Sequence, residues 1–179
     1  MLLLALLLPL AHAETVAYAS LSGAMGFLLE NVGDFALGAE HTFGEHHGLL
    51  VEGTLIHVHG DPTHATTYGG QLGYRYHVGD AFVGVVGGYE VGGAKYFTAE
   101  HGGPYLHYAL KHLSVVPHVG YRWHLGQHAA ITARFGAGYG TWTVSPDEPG
   151  HDAETQLLAD RLQFTPVKLD SELSVGFVF

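Results

Sequence analysis

Two sets of residues in this 179-residue chain have types and spacings that could do chemistry. His57, His59 and His64 form an H-x-H-x4-H group. On a strand His57 and His59 share a face, and with His64 or Asp61 they could bind one metal ion through imidazole and carboxylate donors. The chain carries 15 histidines, however, so the spacing also arises without a site, and the same residues read as interfacial and loop histidines. His112 and Ser114 likewise share a strand face. A hydroxyl beside an imidazole can become a nucleophile, provided the base lies within hydrogen-bond reach and a third group orients it. Spacing alone places no glutamate beside this pair, and a pair of interior polar residues accounts for it equally well. No catalytic, metal or cofactor residue is assigned. A third region, 145–164, is acidic and partly apolar. Pro146, Pro149 and Gly150 mark a turn. Asp152 could cap a short helix with Leu157, Leu158 and Leu162 on one side, or these residues could extend the flanking strands. The loop reads either as a partner-binding surface or as a solvated connection.

The elements that would position these residues are strands. Period-two alternation recurs over 15–27, 34–43, 49–59, 69–78, 81–93, 113–125, 129–143 and 167–179, with no long helix between them. In the fourth segment Leu72, Tyr74, Tyr76 and Val78 oppose Gln71, Gly73, Arg75 and His77. In the sixth, Leu113, Val115, Val119, Tyr121 and Trp123 oppose Ser114, His118, Arg122 and His124. In the last, Leu169, Leu173, Val175, Phe177 and Phe179 oppose Lys168, Asp170, Glu172 and Ser174. An internal repeat supports the count: Gly73-Tyr-Arg-Tyr-His-Val-Gly79 returns as Gly120-Tyr-Arg-Trp-His-Leu-Gly126, with a weaker echo in Gly38-Ala-Glu-His-Thr-Phe-Gly44. Each copy ends a strand and enters a tight turn, so the repeating unit is a hairpin. Each also carries an ionisable residue at mid-copy: Glu40, Arg75 or Arg122. Short turns are expected near 44–48, 79–80 and 126–128. Longer loops are expected near 60–67, 96–104 and 145–164, with a brief connection near 30–33.

Residues 1–13 are leucine-rich and end in Ala11-His12-Ala13. This reads as a cleaved secretory signal, leaving 14–179 as one domain, although no Lys or Arg precedes the apolar run. No later segment reaches the ~18 apolar residues of a membrane helix. There is no cysteine. Seven Lys and Arg against 17 Asp and Glu, a net charge of −10, argue against nucleic acid as a partner. Full protonation of the 14 histidines after residue 13 would carry that charge to about +4, since imidazole titrates near ~6.5.

Glu40, Glu52, Arg75, Glu90, Arg122, Arg134, Lys168, Asp170 and Glu172 all fall opposite the apolar stripe. In a soluble barrel they would face water. Two features argue for the inverse, with charges inside and aromatics against lipid. The aromatic stripe is too bulky for the interior of eight strands. The opposite face alternates glycine with long charges whose five carboxylates and four bases could nearly neutralise one another. The expected fold is therefore all-β, a closed antiparallel up-and-down eight-stranded transmembrane β-barrel, with a soluble β-barrel or sandwich as the competing reading.

Signal peptide, eight amphipathic strands, glycine-aromatic repeats and a terminal strand ending in Phe179 together resemble the small outer-membrane β-barrel proteins, such as the OmpA transmembrane domain and the OmpX/Ail type. The resemblance covers 14–179 and is architectural. It implies a monomer in a Gram-negative outer membrane, in contact with membrane lipids and lipopolysaccharide. It also implies delivery by periplasmic chaperones and the barrel-assembly machinery, read through Leu173, Val175, Phe177 and Phe179. A structural or surface-interaction role without enzymatic activity follows. Lys111-His112-Leu113-Ser114 is also similar to the His-x-Ser pair of outer-membrane lipid A deacylases, but the signature that follows that serine is absent. An enzyme acting on lipid A or phospholipid, and a His-dependent metal- or pH-responsive surface protein, are the alternative expectations.

Overall fold

The computed structural model describes residues 13–20, 32–60, 63–96, 106–147, 155–156 and 167–179. Eight strands follow in order: β1 (Glu14–Ser20), β2 (Val32–Phe43), β3 (His47–Gly60), β4 (Thr63–Val78), β5 (Ala81–Tyr96), β6 (Leu106–His124), β7 (Ala129–Pro146) and β8 (Val167–Val178). Each pairs antiparallel with the next. β8 returns to β1, with Val16 opposite Val178 and Ser20 opposite Ser174, and closes the barrel. The expected all-β, up-and-down closed architecture is present.

The hairpin repeat has a physical explanation. Its last glycine sits in each of three short turns with positive φ: Gly44 at 65°, Gly79 at 62° and Gly126 at 77°, a region that penalises any β-carbon. Its first glycine faces the interior. A β-carbon at Gly38 would meet the Tyr18 ring, one at Gly73 would meet Val86, and one at Gly120 would meet the Phe82 ring. The repeat thus encodes a turn at one end and a vacated interior position six residues earlier.

Several expectations need correction. The loop expected over 60–67 is mostly strand: β3 runs to Gly60 and β4 begins at Thr63, with Thr66 and Thr67 paired to Gly93 and Gly92 of β5. β-Branched threonines suit a pleated surface, and their polarity does not prevent pairing. β6 begins at Leu106, seven residues before the expected start, and β7 continues to Pro146. At 16 to 19 residues, β4 to β7 are longer than the other described strands and overrun them at the end away from the short turns. The interior also admits aromatics that the volume argument placed outside. Tyr18, Phe82 and Tyr108 are buried, and Trp142 stacks on buried His112 at 4.2 Å. Glycines make the room, since Tyr18 pairs across the ladder with Gly38 and Phe82 with Gly120.

The two faces are otherwise as expected. Glu40 and Arg75 are 1 % exposed, whereas Leu37, Leu72 and Tyr139 are 71 %, 70 % and 64 % exposed. A second aromatic feature marks the short-turn end, where Tyr121 and Trp123 lie 4.9 Å apart on the outer wall and His47 stacks on Phe43.

Candidate functional site

The charged side chains meet in three clusters along the interior. In the first, the ionisable residues of the three repeat copies converge. Arg75 Nη1 donates to Glu40 Oε2 at 2.5 Å, Arg122 Nη2 donates to the same oxygen, and His77 Nε2 lies 2.5 Å from Glu40 Oε1. The Glu40 carboxylate is wholly buried. Arg75 also lies over the Phe82 ring, 4.4 Å from its centre, and its Nε donates to His118 Nε2 at 3.3 Å. Towards the short-turn mouth, Arg122 and His124 each reach Glu14 at 3.4 Å, and His124 reaches Asp80 at 3.4 Å.

The second cluster surrounds Arg134, which pairs with Glu172 at 2.6 Å, Asp170 at 2.9 Å and Glu52 at 3.4 Å. Tyr18 donates its hydroxyl to Glu52 at 2.8 Å. The third surrounds Glu90, which receives Lys168 Nζ at 3.3 Å and lies 3.1 Å from His112 Nδ1, with Thr54 donating at 3.4 Å. All four interior bases therefore have carboxylate partners. Burying a charge is expensive unless it is paired and hydrogen-bonded, and each cluster meets that condition across strands distant in sequence.

The third cluster supplies what spacing could not, a glutamate beside His112. Glu90 pairs directly with His112 across the β5–β6 ladder, and a hairpin centred near residue 101 would have located it. The group does not assemble as a nucleophilic triad. A β-carbon at Gly140 of β7 would approach His112 Nε2 at 2.6 Å, whereas one at Gly88 of β5 would approach Ser114 Oγ at 3.0 Å. The basic nitrogen and the hydroxyl point towards opposite neighbours, and no hydrogen bond joins them among the described residues.

His57 and His64 stand on the outer wall beyond the apolar band. They border a cleft of about 600 Å³ with Thr66, Lys95, His107 and Asp147. His57 Nδ1 lies 2.8 Å from Thr66 Oγ1. The ladder sets His59 opposite His64, but the His59 side chain and Asp61 lie outside the described residues. No group of three metal-type ligands occurs among the described residues. In the 145–164 region, Thr155 and Gln156 are helical, while Asp152, Leu157, Leu158 and Leu162 lie outside the described residues, as do residues 1–12 of the expected signal.

Fold and interior together define the class: a small closed antiparallel β-barrel whose lumen is filled by paired charges and whose outer wall is apolar. No protein-family model matches the chain, and no curated protein sequence does.

Proposed function

We propose that this chain is an integral outer-membrane β-barrel protein of the OmpA/OmpX type, exported by a cleaved signal, monomeric and non-enzymatic. Its role is structural, or one of surface interaction through the connections at the end opposite the short turns. The observation that carries the reading is the inverted polarity. Soluble monomers rarely expose contiguous apolar patches beyond a few hundred Å². Here Leu37, Val51, Leu72, Val83, Leu113 and Phe135 all stand more than half exposed on the outer wall while Glu40, Glu52, Arg75 and Arg134 are buried. Apart from the break at Val116 and Pro117, the closed barrel pairs its strands within its own ladders and leaves no open sheet edge, which is what a lipid environment requires. The exposed face of β8, with Leu173, Val175, Phe177 and Phe179, would be the surface that the assembly machinery reads. Lipids and lipopolysaccharide would contact the remaining wall.

Fractionation followed by labelling of single cysteines tests location and topology together. Cysteines placed at Glu45 and Asp147 should label from opposite sides of an outer-membrane fraction. Recovery of the protein in the soluble fraction would overturn the reading. The non-enzymatic part is tested by a phospholipase and deacylase assay on the purified barrel. Turnover that disappears with Ser114→Ala would replace it with an enzyme reading.

A further inference from the structure

The chain has seven Lys and Arg residues. Arg161 lies outside the described residues, and Arg75, Arg122, Arg134 and Lys168 are engaged by carboxylates inside the barrel. The remaining two, Lys95 on β5 and Lys111 on β6, are both exposed on the outer wall at the overrunning end. Neither forms an ion pair among the described residues. In a chain of net charge −10, the outward positive charge of the described residues is thus concentrated in one sector.

Lys95 borders the outer cleft, where the ladder sets it between His64 of β4 and His107 of β6. Around it are imidazole and hydroxyl groups of His57, His64, His107 and Thr66. The floor is low because the ladder aligns three small residues, Thr66, Gly93 and Ala109. An ammonium beside imidazole and hydroxyl groups, two of which (His57 and Thr66) also bond each other, above a small-residue floor suits the oxygens of a phosphate. Among the described residues Asp147 is the one acidic side chain on the lining, and it acts against anion binding. The cleft, at about 600 Å³, is far larger than a phosphate ion and falls within the ~300–1,000 Å³ of pockets that enclose organic ligands. Below it the wall turns apolar, with Leu55, Tyr68 and Leu113 exposed. Lys111, paired with Val91 and Thr143, lies between the two zones, where a long amine can extend towards a headgroup.

We propose that this cleft binds the phosphorylated headgroup of an outer-leaflet membrane amphiphile, with Lys95 on the phosphate and the acyl chains against the wall of β4 to β6. The inference rests on the outer-membrane reading. It is tested by native mass spectrometry of the barrel released from detergent micelles doped with a diphosphorylated glycolipid or with the same lipid dephosphorylated. The phosphorylated form should be retained at least about tenfold better. Lys95→Glu with Lys111→Glu should reduce that retention by at least roughly ten- to thirtyfold, the effect of losing two lysines near an anionic headgroup before the added carboxylates repel it, and Asp147→Asn should raise it. Equal retention of the two lipids, or retention unchanged by the double reversal, would overturn the site. Displacement of the lipid by equimolar inorganic phosphate would overturn the membrane source and leave free phosphate as the ligand. Should the double variant fail to fold, Lys95→Gln provides the same comparison. Heat-modifiable migration on SDS gels is measured first. A barrel that migrates so but ignores the phosphate fails this inference alone, whereas absence of the shift in every form fails the membrane reading.

Discussion

Glu40 shows how much of this molecule depends on single buried charges. Its carboxylate holds Arg75, Arg122 and His77 from two other strands, so removing it strands the Arg75 guanidinium in a closed interior and leaves Arg122 with the longer pair to Glu14. Breaking a buried pair from one side costs about 3–5 kcal/mol. Glu40→Ala should therefore lower the unfolding free energy by about that amount in a urea titration in micelles. Glu45→Ala, at an exposed turn position, should change it by no more than about 0.5 kcal/mol. Equal effects would mean that the Glu40 cluster is hydrated and unimportant to stability. The inward facing of Glu40, Arg75 and Arg122 was legible from parity, and the repeat placed them at one height. That they share a single carboxylate was not legible, because it depends on how far each side chain reaches across a lumen whose width no local pattern reports. Glu90 beside His112 was within reach of the sequence, since it follows from the register of one hairpin.

At the level of the strands, glycine plays two opposed parts. Gly138 of β7 faces inward where β6 comes close, and a β-carbon there would run into the Val115 carbonyl oxygen and Val116 Cα. The β6–β7 ladder lacks pairings at Val116 and Pro117, consistent with the missing N–H of proline. Gly53 faces outward, with its nearest non-local atom 3.9 Å from an added β-carbon. Gly138→Ala should thus destabilise the barrel by about 1–3 kcal/mol, the usual cost of overpacking, while Gly53→Ala should be tolerated. Matched folding yields in micelles would show which glycines are structural, and the reverse order would refute this assignment. Alternation located the middle of β2 to β8 but placed the starts of β4 and β6 too late, and of the first expected segment residues 21–27 lie outside the described residues. Thr63, Thr66 and Thr67 resemble loop residues by polarity, yet partners on both sides hold them in the sheet.

For the whole molecule, two outcomes follow from a filled lumen inside an apolar wall. The folded barrel should migrate on SDS gels differently before and after boiling, as a closed ladder resists detergent until heated; unchanged migration would point to an open or soluble structure. Reconstituted in a planar bilayer, the barrel should show no porin-scale conductance, because Arg75, Arg134, Glu40, Glu52 and Tyr108 occupy its interior. A stable wide channel would mean that these clusters do not persist in lipid.

What the amino-acid sequence determined by itself was the alternation, the hairpin unit, the three tight turns and the separation of charged from apolar faces. All of these are set by steric and solvation preferences within a few residues. Tertiary structure decided the rest: which carboxylate each arginine meets, which aromatics the interior glycines admit, and that His112 and Ser114 aim at different neighbours. It also decided that Lys95 stands among histidines from three other elements. These outcomes depend on closure of the sheet, which brings residues such as Glu52 and Arg134 together across more than eighty positions of chain.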